Sequence, residues 1–347
     1  MRVLVTGHNG YIGSVMTQVL QSAGNEVVGL DTYFFEECGF DGDQKIPALR
    51  RDLRDVTIDD LKGFDAVAHL AALCNDPLGD LNPDWTHEIN HAASYRLAKL
   101  AKEAGVSRFL YASSCSMYGK AGEEMLTEEA PLRPLTAYAV SKVRTEEDVS
   151  GLADTNFSPV FMRNATAYGM SARLRADVVL NNLICWAHTT GKVRIMSDGT
   201  PWRPIVHIED ISLAFAAVLK APREAIHNQA FNVGVNEENY QVRDLAEIVR
   251  ETVPDCEVTY AADGGPDPRS YRVNFDKLAR LLPEFKPVWT ARRGAQELYM
   301  GVQRGRLTLD EFQGRKFTRL AQFKYLLESG LLDRTLRWRE AGNASNG

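Results

Sequence analysis

The chain is predicted to be an α/β protein: a doubly wound parallel sheet with a smaller, interleaved C-terminal substrate domain. Three observations carry this. Apolar, β-rich runs alternate with helical patterns through the first half, and a glycine-rich turn joins the first run to the first helix. From about residue 164 the pattern loosens into short runs separated by Gly- and Pro-rich turns.

The first strand starts at Arg2 and ends in Gly7, Gly10 and Gly13, and a helix follows at once, with Ile12, Val15, Met16, Val19 and Leu20 at helical spacing. A second strand, 26–30, ends on Asp31, and further strands are expected at 66–70, 109–112 and 160–163. Helices are expected at 92–104, closed by Gly105, and at 137–152. Parallel strands with helical crossovers place ligands at the strands' carboxyl ends. Beyond 164, strands are expected at 193–196, 231–233 and 258–260, and helices at 179–188 and 243–253. The stretch 205–219 reads strand then helix and returns to the first domain. The division is therefore 1–163 for a dinucleotide-binding domain with 205–233 returning to it, 164–204 and 234–290 for a substrate domain, and 291–347 for a C-terminal extension. That extension holds Leu298, Leu307, Phe312, Phe317, Leu320, Phe323, Leu326, Leu327, Leu331 and Leu332, too many apolar residues to stay in water, so ordered helices packed on the body are expected.

With 347 residues the chain can bury a sizeable core. Its net charge of −6 argues against a nucleic-acid surface. Five scattered cysteines without a Cys-x-x-Cys pair read as reduced thiols of a cytoplasmic protein, with no disulfide framework and no metal site. The first strand leaves no room for a signal peptide, and no apolar stretch approaches the roughly 18 residues of a membrane span.

The glycine turn brings backbone N–H groups and the positive end of a helix dipole to one point, which suits a phosphate. Asp31, about 20 residues on, accepts hydrogen bonds from a ribose diol and repels a 2′-phosphate, so NAD is expected rather than NADP. Tyr138 and Lys142 lie one helical turn apart, and an ammonium beside a phenol stabilises phenolate, making a general base. Tyr95 and Lys99 repeat the spacing, but only Tyr138 follows a serine cluster, Ser113, Ser114 and Ser116, at the end of the preceding strand. Tyr95 and Lys99 read as one face of an amphipathic helix.

Together these residues resemble the extended short-chain dehydrogenase/reductases that act on nucleotide sugars. The resemblance covers about 1–290 and rests on an ordered set: Thr6-Gly7-His8-Asn9-Gly10-Tyr11-Ile12-Gly13; Asp31; Asp52-Leu53-Arg54; His69-Leu70-Ala71-Ala72; Asn90; Ser113-Ser114-Cys115-Ser116-Met117-Tyr118-Gly119; Tyr138-Ala139-Val140-Ser141-Lys142; and Arg203 with Val206-His207-Ile208-Glu209-Asp210. It implies a Rossmann domain whose NAD contacts are Gly7, Asn9, Gly10, Tyr11, Ile12, Gly13, Asp31, Leu70, Ala71, Ala72, Asn90 and Ser113. Asp52 and Leu53 would hold adenine, and Lys142 the nicotinamide ribose. Tyr138 would be the base, and Ser114 would bond the reacting sugar hydroxyl. Cys115, Ser116, Thr166, Asn181, Arg203, Arg269 and Arg272 complete the expected substrate set, the arginines as diphosphate clamps.

Departures from the family narrow the reaction. Related 4,6-dehydratases carry Asp-Glu where Cys115-Ser116 stand, and decarboxylases carry Glu at Ser116. The GDP-sugar 3,5-epimerases carry cysteine at Ser116, one position after Cys115, which is expected on a strand and facing inward. The remaining Ser-Ser-Cys-Ser-Met-Tyr-Gly is most like 4-epimerases of UDP-sugars and UDP-uronic acids. Thr166 stands where relatives have a sugar-contacting Asn, and Asn181 and Asn182 read either as nucleotide-sugar contacts or as helix-surface residues. The resemblance thus implies an NAD-dependent nucleotide-sugar epimerase acting at C4, a homodimer through helices 92–104 and 137–152. The alternatives are an NAD(P)H-dependent ketoreductase or a non-enzymatic NAD-binding relative.

Overall fold

The computed structural model describes residues 1–40, 42, 46–74, 79, 81–260 and 270–339. Seven strands make one sheet: β1 (Arg2–Thr6), β2 (Glu26–Asp31), β3 (Ala48–Arg50), β4 (Ala66–His69), β5 (Arg108–Ser114), β7 (Ser158–Asn164) and β11 (Gln229–Val233), with β6 (Lys120–Leu126) lying elsewhere. Their order is β11-β7-β5-β4-β1-β2-β3 and every pairing is parallel. Alternation along β1 shows why the runs are apolar throughout. Val3 and Val5 face the helices Gly13–Ser22 and Ile208–Lys220, meeting Met16, Leu20, Ile211 and Phe215 in one core cluster. Leu4 faces the other way, with Val28 and Val67, against Leu97, Ala98 and Ala101 of the helix Ala93–Glu103. Because β1 pairs with β2 on one side and β4 on the other, chain order reverses there and a crevice opens at the carboxyl ends.

The strand expected at 205 does not enter this sheet. It is β10 (Trp202–His207), which pairs with β8 (Thr166–Tyr168) and β12 (Asn239–Gln241). The helices Ile208–Lys220 and Arg223–Ile226 and the strand β11 do return to the main sheet. A one-chain pattern cannot tell which neighbour a short strand will find, since pairing is set by distant residues. Two further pairs, β9 (Lys192–Ile195) with β13 (Glu257–Tyr260) and β6 with β14 (Ser270–Val273), complete the sheets. The helix expected at 92–104 begins with a π-helical turn, His87–Ala92, which turns Asn90 into the interior.

A second core joins the helices Val179–Thr190, Val242–Thr252 and Ala291–Arg304 through Leu180, Ile184, Leu245, Val249, Leu298 and Val302. From 291 to 339 the tail is ordered, with two more helices, Leu309–Gln313 and Arg319–Glu328. Its expected apolar residues are covered except Leu331, which is 43% exposed. Among the described residues no helix is long and apolar enough to cross a membrane, and no His/Cys/Asp/Glu group could hold a metal ion.

Candidate functional site

The glycine turn sits at the crevice. Gly7 has φ +75°, and a Cβ there would lie 2.8 Å from the backbone nitrogen of Ala71, so the ends of β1 and β4 meet too closely for any side chain. At Gly13 a Cβ would lie 2.1 Å from the carbonyl oxygen of Gly7. The helix starts at Gly13, and the Ser14 and Met16 amides already bond the Gly10 and Ile12 carbonyls at 3.1 and 2.9 Å, so it is the turn ahead of Gly13 that sits at the positive end of the helix dipole. This cradle fits a dinucleotide diphosphate. The Tyr11 side chain serves structure, donating its hydroxyl to the Gly169 carbonyl at 2.8 Å, while Ile12 packs against both neighbouring core clusters.

Asp31 ends β2 as expected, with its carboxylate taking the Asn9 amide at 3.0 Å and the Tyr33 amide at 2.7 Å. Burial pushes its pKa up and the amide donors oppose this. A carboxylate has about four lone-pair sites, so capacity remains for a ribose diol. Asp52 caps a short helical turn and holds the Arg54 guanidinium at 2.6 Å, and Leu53 is buried beside it. Asn90 is fully buried, its amide spent on the backbone of Leu73, which holds the loop that Leu70, Ala71 and Ala72 begin. Its action on a cofactor would therefore run through that loop.

Ser114, Tyr138 and Lys142 converge at the carboxyl ends. Thr136 caps the helix Ala137–Ser150 by accepting the Ala139 amide, which sets Tyr138 in its first turn. Burial pushes the Tyr138 phenol well up, while a hydrogen bond with Ser114 and the nearby Arg175 charge pull it down. Lys142 is buried, donates to the Ala112 carbonyl at 2.6 Å, and lies 5.4 Å from the Tyr138 ring centre. Burial pushes it down to about 8, so it is still mainly cationic at pH 7. Ser114 accepts the Ser116 amide at 3.1 Å and donates to the Ser116 hydroxyl at 2.9 Å. Ser113 is turned away, donating to Met117 sulfur. Lys99 merely lies over the Tyr95 ring, which packs at the edge of the core.

Cys115 departs from expectation. The strand stops at Ser114, residues Cys115–Tyr118 form a tight helical turn, and the thiol is fully buried with the Arg163 carbonyl as its acceptor at 3.1 Å. It faces inward as expected, with its thiol spent on that carbonyl. Asn181 is likewise fully buried. Its oxygen takes the Gly169 amide, and its nitrogen donates to the Tyr11 hydroxyl and the Arg175 carbonyl, so it ties the turn to the second core rather than offering a free amide. Asn182 donates to the Ala176 carbonyl. Thr166, on β8, and Arg203, on β10, are half-buried, and Arg272 stacks over the Trp202 ring beside Arg203. Arg269 lies outside the described residues.

Two residues escaped the sequence reading. Asn164 pairs across from Ser114 in the sheet, and its buried side-chain oxygen has no partner. Arg175 bears on Tyr138 and is held by Asp177 at 2.9 Å. Asn164 ends β7 two positions before Thr166, where the sequence reading had placed the sugar-contacting position, while nothing in local spacing marks a loop arginine that turns toward a tyrosine 37 positions earlier.

A family profile described as "NAD dependent epimerase/dehydratase family" matches residues 3–234. The UDP-glucose 4-epimerase of Corynebacterium glutamicum is 28% identical over 274 residues, covering 72% of this chain and 80% of that protein. The dTDP-D-glucose 4,6-dehydratase of Mus musculus is 25% identical over 309 residues, covering 83% and 85%. Among solved structures, MoeE5 in complex with UDP-glucuronic acid and NAD superposes with a TM-score of 0.77 at 26% identity, covering 88% of this chain and 99% of that one.

Proposed function

Because the chain belongs to the NAD dependent epimerase/dehydratase family, we propose that it is a nucleotide-sugar 4-epimerase with Tyr138 as its base. NAD is its cofactor, and the glycine cradle and Asp31 fit it. Bound NAD supplies the reversible two-electron acceptance that inversion through a ketone requires. The chain's own part is proton handling and positioning. Tyr138 takes the proton of the sugar's C4 hydroxyl, with Ser114 bonding the same oxygen, and Lys142 and Arg175 favour the phenolate against the burial that opposes it. After the keto sugar turns over in the pocket, the same phenol returns the proton. Thr166, Arg203, Arg269 and Arg272 hold the nucleotide diphosphate and sugar in this reading.

One observation carries the choice of epimerase over dehydratase. Cys115 and Ser116 stand where the related 4,6-dehydratases carry Asp-Glu, so no carboxylic acid follows Ser114 at the strand end beside Tyr138. Elimination of water across C5 and C6 needs an acid and a base beyond the tyrosine, whereas inversion at C4 needs only the tyrosine. The experiment is to incubate the protein with UDP-glucose, UDP-glucuronic acid and dTDP-glucose and to separate the products. A C4 epimer of unchanged mass is expected from a UDP-sugar. A product lighter by one water, or steady consumption of reduced cofactor, would refute the epimerase.

We also read the protein as a cytoplasmic homodimer. Its five cysteines are all free thiols. The neighbouring helices Ala93–Glu103 and Ala137–Ser150 lie on the outside of the sheet, with Val140 and Val143 only half-buried, and a self-complementary face closes such a pair. Light scattering at micromolar concentration should return twice the chain mass; a monomer would sink this part.

A further inference from the structure

The tail beyond the family match does more than fill space. Its last part wraps the side of the crevice where β2 ends. Gln322 donates to the Phe34 carbonyl at 3.0 Å, Trp338 to the Thr32 carbonyl at 2.6 Å, and Arg54 reaches back to the carbonyls of Thr335 and Leu336. Phe323, Leu326, Leu332 and Leu336 form a small separate core with Phe34, Leu73 and Ile89. All of these partners except Ile89, which sits on the π-helical turn, lie in the loops that follow β2 and β4 or in the turn after Asp52, and those loops flank Asp31 and the glycine turn.

Arg319 opens the helix Arg319–Glu328 and is only 5% exposed. Its guanidinium lies 4.1 Å over the Phe35 ring, and one nitrogen donates to the Arg173 carbonyl at 2.8 Å. Arg173 in turn donates to the Asn9 side chain of the glycine turn at 3.1 Å. The other terminal nitrogen of Arg319, Nη1, is buried with no partner. Burial and the like charge of Arg175 push Arg319 down to about 10, with Cys38, Asp177 and Cys74 acting the other way. The carboxylate among these, Asp177, is already bidentate on Arg175. A buried guanidinium with an orphaned donor is costly unless an anion completes it.

We propose that residues 319–338 are a strap across the adenosine end of the cofactor crevice, and that Arg319 donates its orphaned Nη1 to the cofactor diphosphate. This rests on NAD being the cofactor. The diphosphate of the dinucleotide, rather than that of the nucleotide sugar, is the anion, because the strap's contacts run to Thr32, Phe34, Arg54 and, through Arg173, to Asn9. Release of the dinucleotide then requires the strap to lift, which suits an enzyme that regenerates its cofactor in every cycle.

The test uses the full chain and Arg319→Met, which keeps the stem over Phe35, with Arg319→Lys as the charge-conserving control. A charge-assisted hydrogen bond of about 1.5–3 kcal/mol corresponds to a loss of about 10–100-fold in affinity for NAD and for ADP-ribose. Adenosine and UDP binding should be unchanged, the lysine variant should recover part of the loss, and the nucleotide-free methionine variant should melt no lower than the parent. Retention of NAD within about threefold of the parent would overturn the proposal. So would equal weakening of NAD and adenosine with a lower melting temperature, which marks a structural role, and so would a loss confined to UDP, which moves the guanidinium to the sugar nucleotide. A parent that binds no NAD at all would instead overturn the cofactor assignment beneath it.

Discussion

Tyr138→Phe is expected to lower turnover of the nucleotide sugar by about 10²–10⁴-fold, the usual worth of a positioned general base, while NAD stays bound. The ring and its packing remain, and the Gly7–Gly13 cradle and Asp31 are untouched, so the melting temperature should hold. Tyr95→Phe is the control, since its lysine partner has the same spacing, and it should change neither activity nor cofactor content. A Tyr138→Phe protein that turned over at the parent's rate would remove the base from this reading. Lys142→Met should lower both turnover and NAD retention, and it carries a second signature. Burial depresses Lys142 from 10.5 to about 8, so between those values the unfolded chain holds a proton that the folded chain has lost. Stability then rises with pH across that window. Melting curves from pH 7.5 to 10.5 should show the parent gaining on Lys142→Met. A constant gap between the two proteins would place the lysine's proton elsewhere.

Deleting residues 291–347 should leave a chain that does not fold stably. Gly294 packs so closely on Tyr168 that a Cβ would lie 2.2 Å from its ring, and Glu297 accepts both the Met170 amide and the His207 ring at 2.9 Å. The tail therefore braces the turn at Gly169 that Tyr11 and Asn181 also grip. Leu298, Val302, Leu307, Phe312, Phe317 and Phe323 are all buried. At about 1.5–3 kcal/mol each, a few such residues equal the whole margin of about 5–15 kcal/mol that a folded domain commands. Differential scanning calorimetry and solubility after expression read the effect. A truncated protein as soluble and heat-resistant as the parent would show the second core to be complete without its helix.

What the sequence determined by itself is what local spacing encodes. The glycine turn between an apolar run and a helix, the acid at the end of the next strand, and the alternation of strands and helices all follow from periods of two and 3.6 residues and from the few residue types that special turns admit. The Tyr138–Lys142 pair was legible for the same reason, and so was its decoy at Tyr95. Distinguishing the two took the serine cluster, whose strand end is again a local feature. Tertiary structure alone decided the rest. It sent β10 to a sheet of its own, buried Cys115 in a helical turn, spent the amide of Asn90 on the Leu73 backbone, and tied that of Asn181 to the Gly169 amide and the Tyr11 hydroxyl. It also brought Asn164, Arg175 and Arg319 to the crevice from three separate segments. No periodicity marks such residues, because what sets them apart is a buried charge or an unpaired atom. That property arises only when distant segments exclude water around it.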